Sequence, residues 1–276
     1  MMADPSPASP LCRTRLACVA VGMALAALAS APASAQEGKP YVPMVGQEGK
    51  DVVWVPTPQP VVDRMLDLAK VTPQDRLLDL GSGDGRTVIT AARRGLRAQG
   101  IEYNPKMVEL ARRNAQEAGV ADRATFITGD LFKANLTDAT VITMFLLPSI
   151  NEQLRPRLLQ LRPGTRIVSN SFGMGDWQPD QSTSVQGGCE HYCTALLWIV
   201  PARVGGNWRM GQQELRLTQK YQMLSGTLDA APIVNGRLDG RRISFTANGV
   251  RYSGTIEGTT MQGTTSGGAN WSATKL

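Results

Sequence analysis

The stretch RLLDLGSGDGRTVITAARRGLRAQGIE, from Arg76 to Glu102, restricts the fold of this chain more than any other. Arg76–Leu80 is a short apolar run carrying one carboxylate, Asp79. It leads into Gly81-Ser82-Gly83-Asp84-Gly85, where glycines permit a tight turn and a close approach of backbone to ligand. Thr87–Arg94 has helix composition, with Val88, Ile89, Ala91 and Ala92 apolar, and Ala98–Ile101 is a second strand ending in Glu102. Strand, glycine turn, helix and strand make half of a doubly wound, Rossmann-like α/β fold, with the ligand at the carboxyl end of the first strand.

The spacing selects the ligand. A dinucleotide fingerprint, G-x-G-x-x-G, would need glycine at position 86, which is Arg86. Glu102 suits the diol of an adenosine ribose in either class. Asp79 would repel a pyrophosphate, yet it suits a ligand with an ammonium or sulfonium charge. The pattern D-x-G-x-G-x-G with a distal acid resembles the S-adenosylmethionine motif of class I methyltransferases; the alternative is a glycine-rich turn in some other α/β protein. The resemblance implies a cofactor set of Thr57, Asp79, Gly81, Ser82, Gly83, Asp84, Gly85, Glu102, Tyr103, Asp130 and Leu131. In it Asp79 meets the ammonium, Gly81 and Gly83 pass beneath the methionine portion, Glu102 holds the ribose and Asp130 the adenine.

Around this unit the chain alternates helices and strands. Thr57 is read as an N-cap with Pro58 in the first turn of a helix running to Lys70, a flap whose first amides face the cofactor carboxylate or a cover for the sheet. Asn104-Pro105 opens a helix ending at Gly119, and Ala124–Thr128 is a third strand before Gly129-Asp130-Leu131-Phe132. Thr140–Phe145 is a fourth strand, Ser149–Leu161 a helix interrupted by Pro156, Arg166–Asn170 a fifth strand. Gln181–Tyr192 reads as loop. Thr194–Val200 reads as an edge strand whose partner is expected between Arg203 and Leu217.

From Trp54 to Pro179 the chain is similar to the mitochondrial lysine methyltransferases that modify the ATP synthase c subunit and the adenine nucleotide translocase. The matching residues are VPTP (Val55–Pro58), DLGSGDGR (Asp79–Arg86), GIEYNP (Gly100–Pro105), GDLF (Gly129–Phe132), FLLP (Phe145–Pro148) and RIVSNSF (Arg166–Phe172). DLGSG and IVSNSF more distantly resemble the histone-core lysine methyltransferases without a SET domain. The family implies N-methylation of a protein lysine by S-adenosyl-L-methionine. Many N-methyltransferases carry Asn-Pro-Pro-Tyr or Asp-Pro-Pro-Tyr after the fourth strand; here Phe145, Leu146 and Pro148 form an apolar acceptor slot in which only backbone carbonyls can hold an amine. A small amine, or a secreted binding protein on a non-catalytic methyltransferase fold, are the alternatives.

At 276 residues and 42% apolar content the chain can bury a full core. Arg13 and Arg15, the apolar run from Leu16, and Ala33-Ser34-Ala35 match a secretory leader, residues 1–35, cleaved after Ala35; the run is short for a span of about 20 residues. Export to the periplasm is expected, with a membrane met only in translocation or through an uncleaved anchor. Losing the leader's two Arg and one Asp takes the net charge from +6 to +5. Without a Lys/Arg run or basic–aromatic interleaving, no nucleic-acid partner is expected. Residues 36–50 read as a polar linker, 51–205 as the methyltransferase domain, and 206–276, punctuated by glycine, as an antiparallel β extension.

Cys189-Glu190-His191-Tyr192-Cys193 holds the chain's one histidine, a candidate general base. Two thiols and an imidazole at this spacing do not match a zinc pattern, and no metal is expected. In an oxidising compartment the two cysteines pair. In one extended strand their Cα atoms would lie about 13 Å apart, beyond the ~7 Å a disulfide tolerates, so a turn must separate them.

Overall fold

The computed structural model describes residues 41–276; the expected leader and its cleavage site lie outside the described residues. Seven strands make the first sheet: β1 (Arg76–Leu80), β2 (Arg97–Glu102), β3 (Ala124–Thr128), β4 (Val141–Met144), β5 (Arg166–Asn170), β6 (Gln181–Ser184) and β7 (Thr194–Ile199). Their order is β3-β2-β1-β4-β5-β7-β6, with the first five parallel and β7 antiparallel to both neighbours. Parallel strands are covered on both faces, which is why β1 and β4 read as apolar runs rather than alternations. Helices α1 (Gln59–Leu68), α2 (Arg86–Arg93) and α3 (Pro105–Glu117) bury Val61, Val62, Leu66, Val88 and Ala111 on one face. On the other face, α4 (Pro148–Leu158) contributes Ile150, Leu154 and Leu158.

Three readings need correction. Thr57 makes no capping bond: α1 starts at Gln59 behind Pro58, with Pro60, which needs no N–H partner, in the first turn. Thr57 is buried instead, and its carbonyl accepts from Arg86 Nη1 at 2.8 Å. The partner of β7 is β6, which precedes it, in the register Gln181↔Leu197 to Ser184↔Thr194. Its sequence, QSTS, has no apolar alternation, because an edge strand on a short polar run buries almost nothing. The third concerns residues 41–50, read as linker. They are bonded in place: Gly46 N donates to Trp54 O, Trp54 N to Gln47 O, and Gln47 Nε2 to Tyr41 Oη.

The C-terminal region is a separate antiparallel sheet of nine strands: β8 (Gly206–Met210), β9 (Gln213–Lys220), β10 (Met223–Leu228), β11 (Ala231–Pro232), β12 (Val234–Asp239), β13 (Arg242–Ala247), β14 (Val250–Glu257), β15 (Thr260–Thr265) and β16 (Asn270–Lys275). Pairing of β9 with β10 closes it into a barrel, with β11 outside the ring. Side chains alternating along each strand fill the interior, among them Trp208, Leu215, Phe245 and Met261. Some glycines mark strand contacts rather than turns. Gly254 faces Gly263 across β14 and β15, and a Cβ on Gly254 would lie 2.7 Å from the Trp271 ring.

The barrel is docked on the β5–β6 connection. Buried Trp177 donates to Gln222 Oε1 at 2.9 Å and stacks on Tyr221, while Arg237 pairs with Asp180 at 2.6 Å. Gly240 lies so close to Gly164 that a Cβ there would sit 3.0 Å from the Gly164 Cα. Among the described residues no helix is long and apolar enough to cross a membrane.

Candidate active site

The turn after β1 is built from left-handed glycines, Gly81 at φ 77° and Gly83 at φ 52°. Both amides at its start, Gly81 N and Ser82 N, donate to Ile101 O. Glu102, at the end of β2, accepts from Gly83 N at 3.0 Å and from Asn104 N at 2.9 Å. One carboxylate thus ties the glycine turn to the start of α3, where the Asn104 side chain accepts from Lys106 N.

A cleft opens at the carboxyl ends of β1, β2 and β4. Of the residues expected at a cofactor, Asp79, Gly81, Ser82, Gly83, Asp84 and Glu102 line it from the first two strands. Thr57, Tyr103, Asp130 and Leu131 line it from the flanking loops, and Phe145 and Leu146 close its far end. Two expected residues lie elsewhere. Gly85 faces away, where a Cβ would meet Phe126 at 2.7 Å, so its role is to seat α2 on β3. Pro148 opens α4 on the exposed surface. His191 is exposed and outside the cleft lining.

The strap from Gln47 to Pro56 forms a wall that sequence reading missed. Trp54 lies over the glycine turn, its Nε1 2.6 Å from where a Cβ of Gly83 would be. Lys50 Nζ donates to Asp130 Oδ2 at 2.8 Å and lies 5.3 Å from the Tyr103 ring centroid. Asp130 is held below the usual carboxylate range by that bond, helped by the Phe132 amide. An isolated lysine in a polar stretch carries no periodic signal; only the contact reveals it.

The electrostatics suit a cationic ligand with a diol. Asp79 is buried, with Thr143 Oγ1 donating to it at 2.6 Å. Burial pushes its carboxyl up to about 7, against the Thr143 bond and with Glu102 and Asp84 adding to the rise. A buried acid among acids lacks a cation, and a ligand ammonium would supply one. The bare glycine backbone at Gly81 and Gly83 leaves space that side chains would fill: a Cβ on Gly81 would lie 3.1 Å from Leu146 Cδ2. These features fit S-adenosylmethionine. Among the described residues no group of three or more His, Cys, Asp or Glu side chains is placed to hold a metal.

The sheet order, the glycine turn after β1 and the acid at the end of β2 define an S-adenosylmethionine-dependent methyltransferase of class I. Residues 79–181 match a family described as the ANTKMT methyltransferase domain. A protein-lysine N-methyltransferase of Saccharolobus islandicus is 42% identical over 152 residues, 54% of this chain and 94% of that protein. The chain belongs to this protein-lysine N-methyltransferase family. The adenine nucleotide translocase lysine N-methyltransferase of Mus musculus is 41% identical over 120 residues, and the match spans 52% of its length. Among solved structures, an RNA methyltransferase from Salinibacter ruber in complex with S-adenosyl-L-homocysteine is 54% identical with a TM-score of 0.51, covering 54% of this chain and 96% of that one.

Proposed function

We propose that this enzyme methylates the ε-amine of a protein lysine outside the cytoplasm. The observation that carries the acceptor is the far end of the cleft, walled by Phe145 and Leu146, with neither an acidic side chain nor a histidine at the end of β4. A hydroxyl acceptor needs a base beside it. A lysine needs its pKa brought down from about 10.4, which desolvation between apolar walls achieves, freeing the lone pair. The alkyl stem packs on the same walls, and the carbonyls of Phe145 and Leu146 are the acceptors left to orient the amine.

S-adenosylmethionine, when bound, supplies a methyl group already activated on a sulfonium. The chain's contribution is to bind, align and exclude water. In the cleft Asp79 would hold the ammonium, the glycine turn would lie under the methionine portion, Glu102, which also holds Gly83 and Asn104 in place, would take the ribose diol, and Asp130 and Leu131 would border the adenine. Tyr103 and Trp54 line the cleft, Trp54 over the glycine turn.

Lysine is the acceptor named for the archaeal and mouse relatives, whereas the Salinibacter protein is named for RNA. Export is supported by the Cys189–Cys193 disulfide, a bond at home in an oxidising compartment, together with the leader-like sequence of residues 1–35. Mass spectrometry of envelope proteins from cells with and without the gene tests the proposal. Loss of a lysine methyl mark is expected; a lost RNA methyl mark with all lysine marks intact would overturn it. A small amine as acceptor would show instead as transfer from labelled cofactor into the low-molecular-weight fraction.

A further inference from the structure

Three aromatic rings meet beside the acceptor end of the cleft, and only one belongs to the slot read from sequence. Phe145 follows β4, Phe172 lies two residues past the end of β5, and Tyr192 sits in the loop before β7. Phe145 stacks on Phe172 with centroids 5.9 Å apart; Tyr192 meets Phe145 edge-on at 5.3 Å and Phe172 at 5.5 Å. Phe145 lines the cleft, whereas Tyr192 is 44% exposed. The rings touch one another, so they form a continuous aromatic wall running from solvent to the cleft.

Strand pairing places them there. β4 and β5 run parallel with Met144 beside Ser169, which sets Phe145 next to Asn170. β5 and β7 run antiparallel with Asn170 beside Ala195, and beyond them Ser171 N donates to Thr194 O at 2.7 Å. That bond brings Phe172 alongside the residues just before Thr194. These form the disulfide loop: Cys189 and Cys193 are joined, with Cα atoms 5.8 Å apart, and the short ring between them holds Tyr192 at φ 59°, in the left-handed region that a tyrosine enters at a cost. The loop is also held from below. Val185 N donates to Cys193 O, Cys189 packs on the core under α1, and Gly188 is tight against Pro60. Strain kept in place by a cross-link, on a loop that touches the slot, marks Tyr192 as positioned rather than incidental. A second oddity adjoins it: the amide nitrogen of Asn170, fully buried next to Phe145 in the register, has no hydrogen-bond partner.

We propose that Tyr192, presented by the Cys189–Cys193 loop, is a specificity-determining residue that completes the passage for the acceptor lysine, with Phe172 and Phe145 as its inner wall. The proposal rests on the lysine reading above. The chemistry follows from the rings: an alkyl stem buries on aromatic surface, and an ammonium is attracted to ring faces while its hydration is removed. The wall therefore admits a primary or methylated alkylammonium and disfavours an anionic chain such as a nucleic acid. The disulfide acts through Tyr192, by keeping the ring against Phe145 rather than in solvent.

The test uses the oxidised mature chain and two readouts. One is the affinity for S-adenosylhomocysteine; the other is the KM for a short peptide carrying a single lysine flanked by glycines. Tyr192→Ala should raise the peptide KM about tenfold or more with kcat and S-adenosylhomocysteine affinity within twofold of wild type, and Tyr192→Phe should restore the wild-type KM. The Cys189→Ser/Cys193→Ser pair, or reductant on the wild type, should raise the same KM at least threefold. An unchanged KM in Tyr192→Ala, while wild type methylates the peptide, overturns the passage and leaves the lysine reading standing. A parallel loss of cofactor affinity would also overturn it, since the loop would then be merely structural. If wild type leaves the lysine peptide untouched but methylates an RNA oligonucleotide, the lysine reading falls and the passage with it.

Discussion

An acid almost wholly removed from water with a single hydroxyl for a partner is expensive to ionise, and Asp79, at the floor of the cleft beside Thr143, is in that position. Its carboxyl is pushed from 3.8 to about 7 by burial, so the folded chain holds a proton there across a range in which the unfolded chain has lost it. Folding stability contributed by this group therefore falls as pH rises from about 4 to about 7 and stays low above, by up to about 4 kcal/mol at ~1.4 kcal/mol per pH unit. Asp79→Asn keeps the acceptor for Thr143 and removes the charge. Thermal melts should show the variant several degrees more stable at pH 8 and equal to wild type near pH 4, while S-adenosylhomocysteine binding drops more than tenfold at pH 8. Binding to wild type should follow the ionised form: calorimetry between pH 6 and 8 should show affinity rising with pH and levelling above about 7. A flat profile, or tight binding by Asp79→Asn, would remove Asp79 from the ammonium.

The elements that sequence revealed best are those whose backbone demand is written in residue type. D-x-G-x-G-x-G dictated the turn after β1, Asn104-Pro105 the start of α3, and the β-branched runs β3 and β5 kept their expected limits. What escaped notice was held by contacts with no local period: polar β6, the strap closed by Gln47, Lys50 and Trp54, and the ring of Phe145, Phe172 and Tyr192, whose members are far apart in sequence. Thr57 misled because a cap residue followed by proline is a good helix start, yet a second proline two residues on starts the helix equally well. The strap also gives the glycine turn its tightest constraint. Gly83→Ala places a Cβ on Trp54 and forces alanine into φ 52°, about 1 kcal/mol of backbone cost before the clash. Cofactor affinity should fall at least tenfold with only a small drop in Tm, and Trp54→Ala in the same chain should recover part of it. No recovery would mean that Trp54 does not sit over the turn in solution.

The catalytic sheet and the barrel are joined by polar bonds on buried aromatics, which says more about their relation than either sheet does alone. The match to the Salinibacter structure uses 96% of that chain and 54% of this one, so the relative has no counterpart for most of the remainder. Trp177 has no exposed surface, donates to Gln222 of the barrel and receives Trp198 Nε1 on its carbonyl; Asp180 is tied to Arg237, and Asp176, drawn down to about 2, first by the Tyr221 hydroxyl and then by Lys220, faces the same junction. All residues lining the cleft lie at or before Ile150, so none comes from the barrel. Deleting residues 206–276 should therefore separate stability from binding. The shortened chain loses the partners of Trp177 and Asp180 and exposes an indole that, judged by buried Trp truncations, is worth about 3–5 kcal/mol. It should melt at least 10 °C lower and bind a hydrophobic dye, yet at low temperature take S-adenosylhomocysteine with an affinity within about threefold of the full chain. Trp177→Ala in the full chain should reproduce much of the loss in Tm with binding intact. Equal melting of short and full chains would show the barrel to be an independent appendage, and lost binding in a chain that remains folded would give the barrel a part in shaping the cleft.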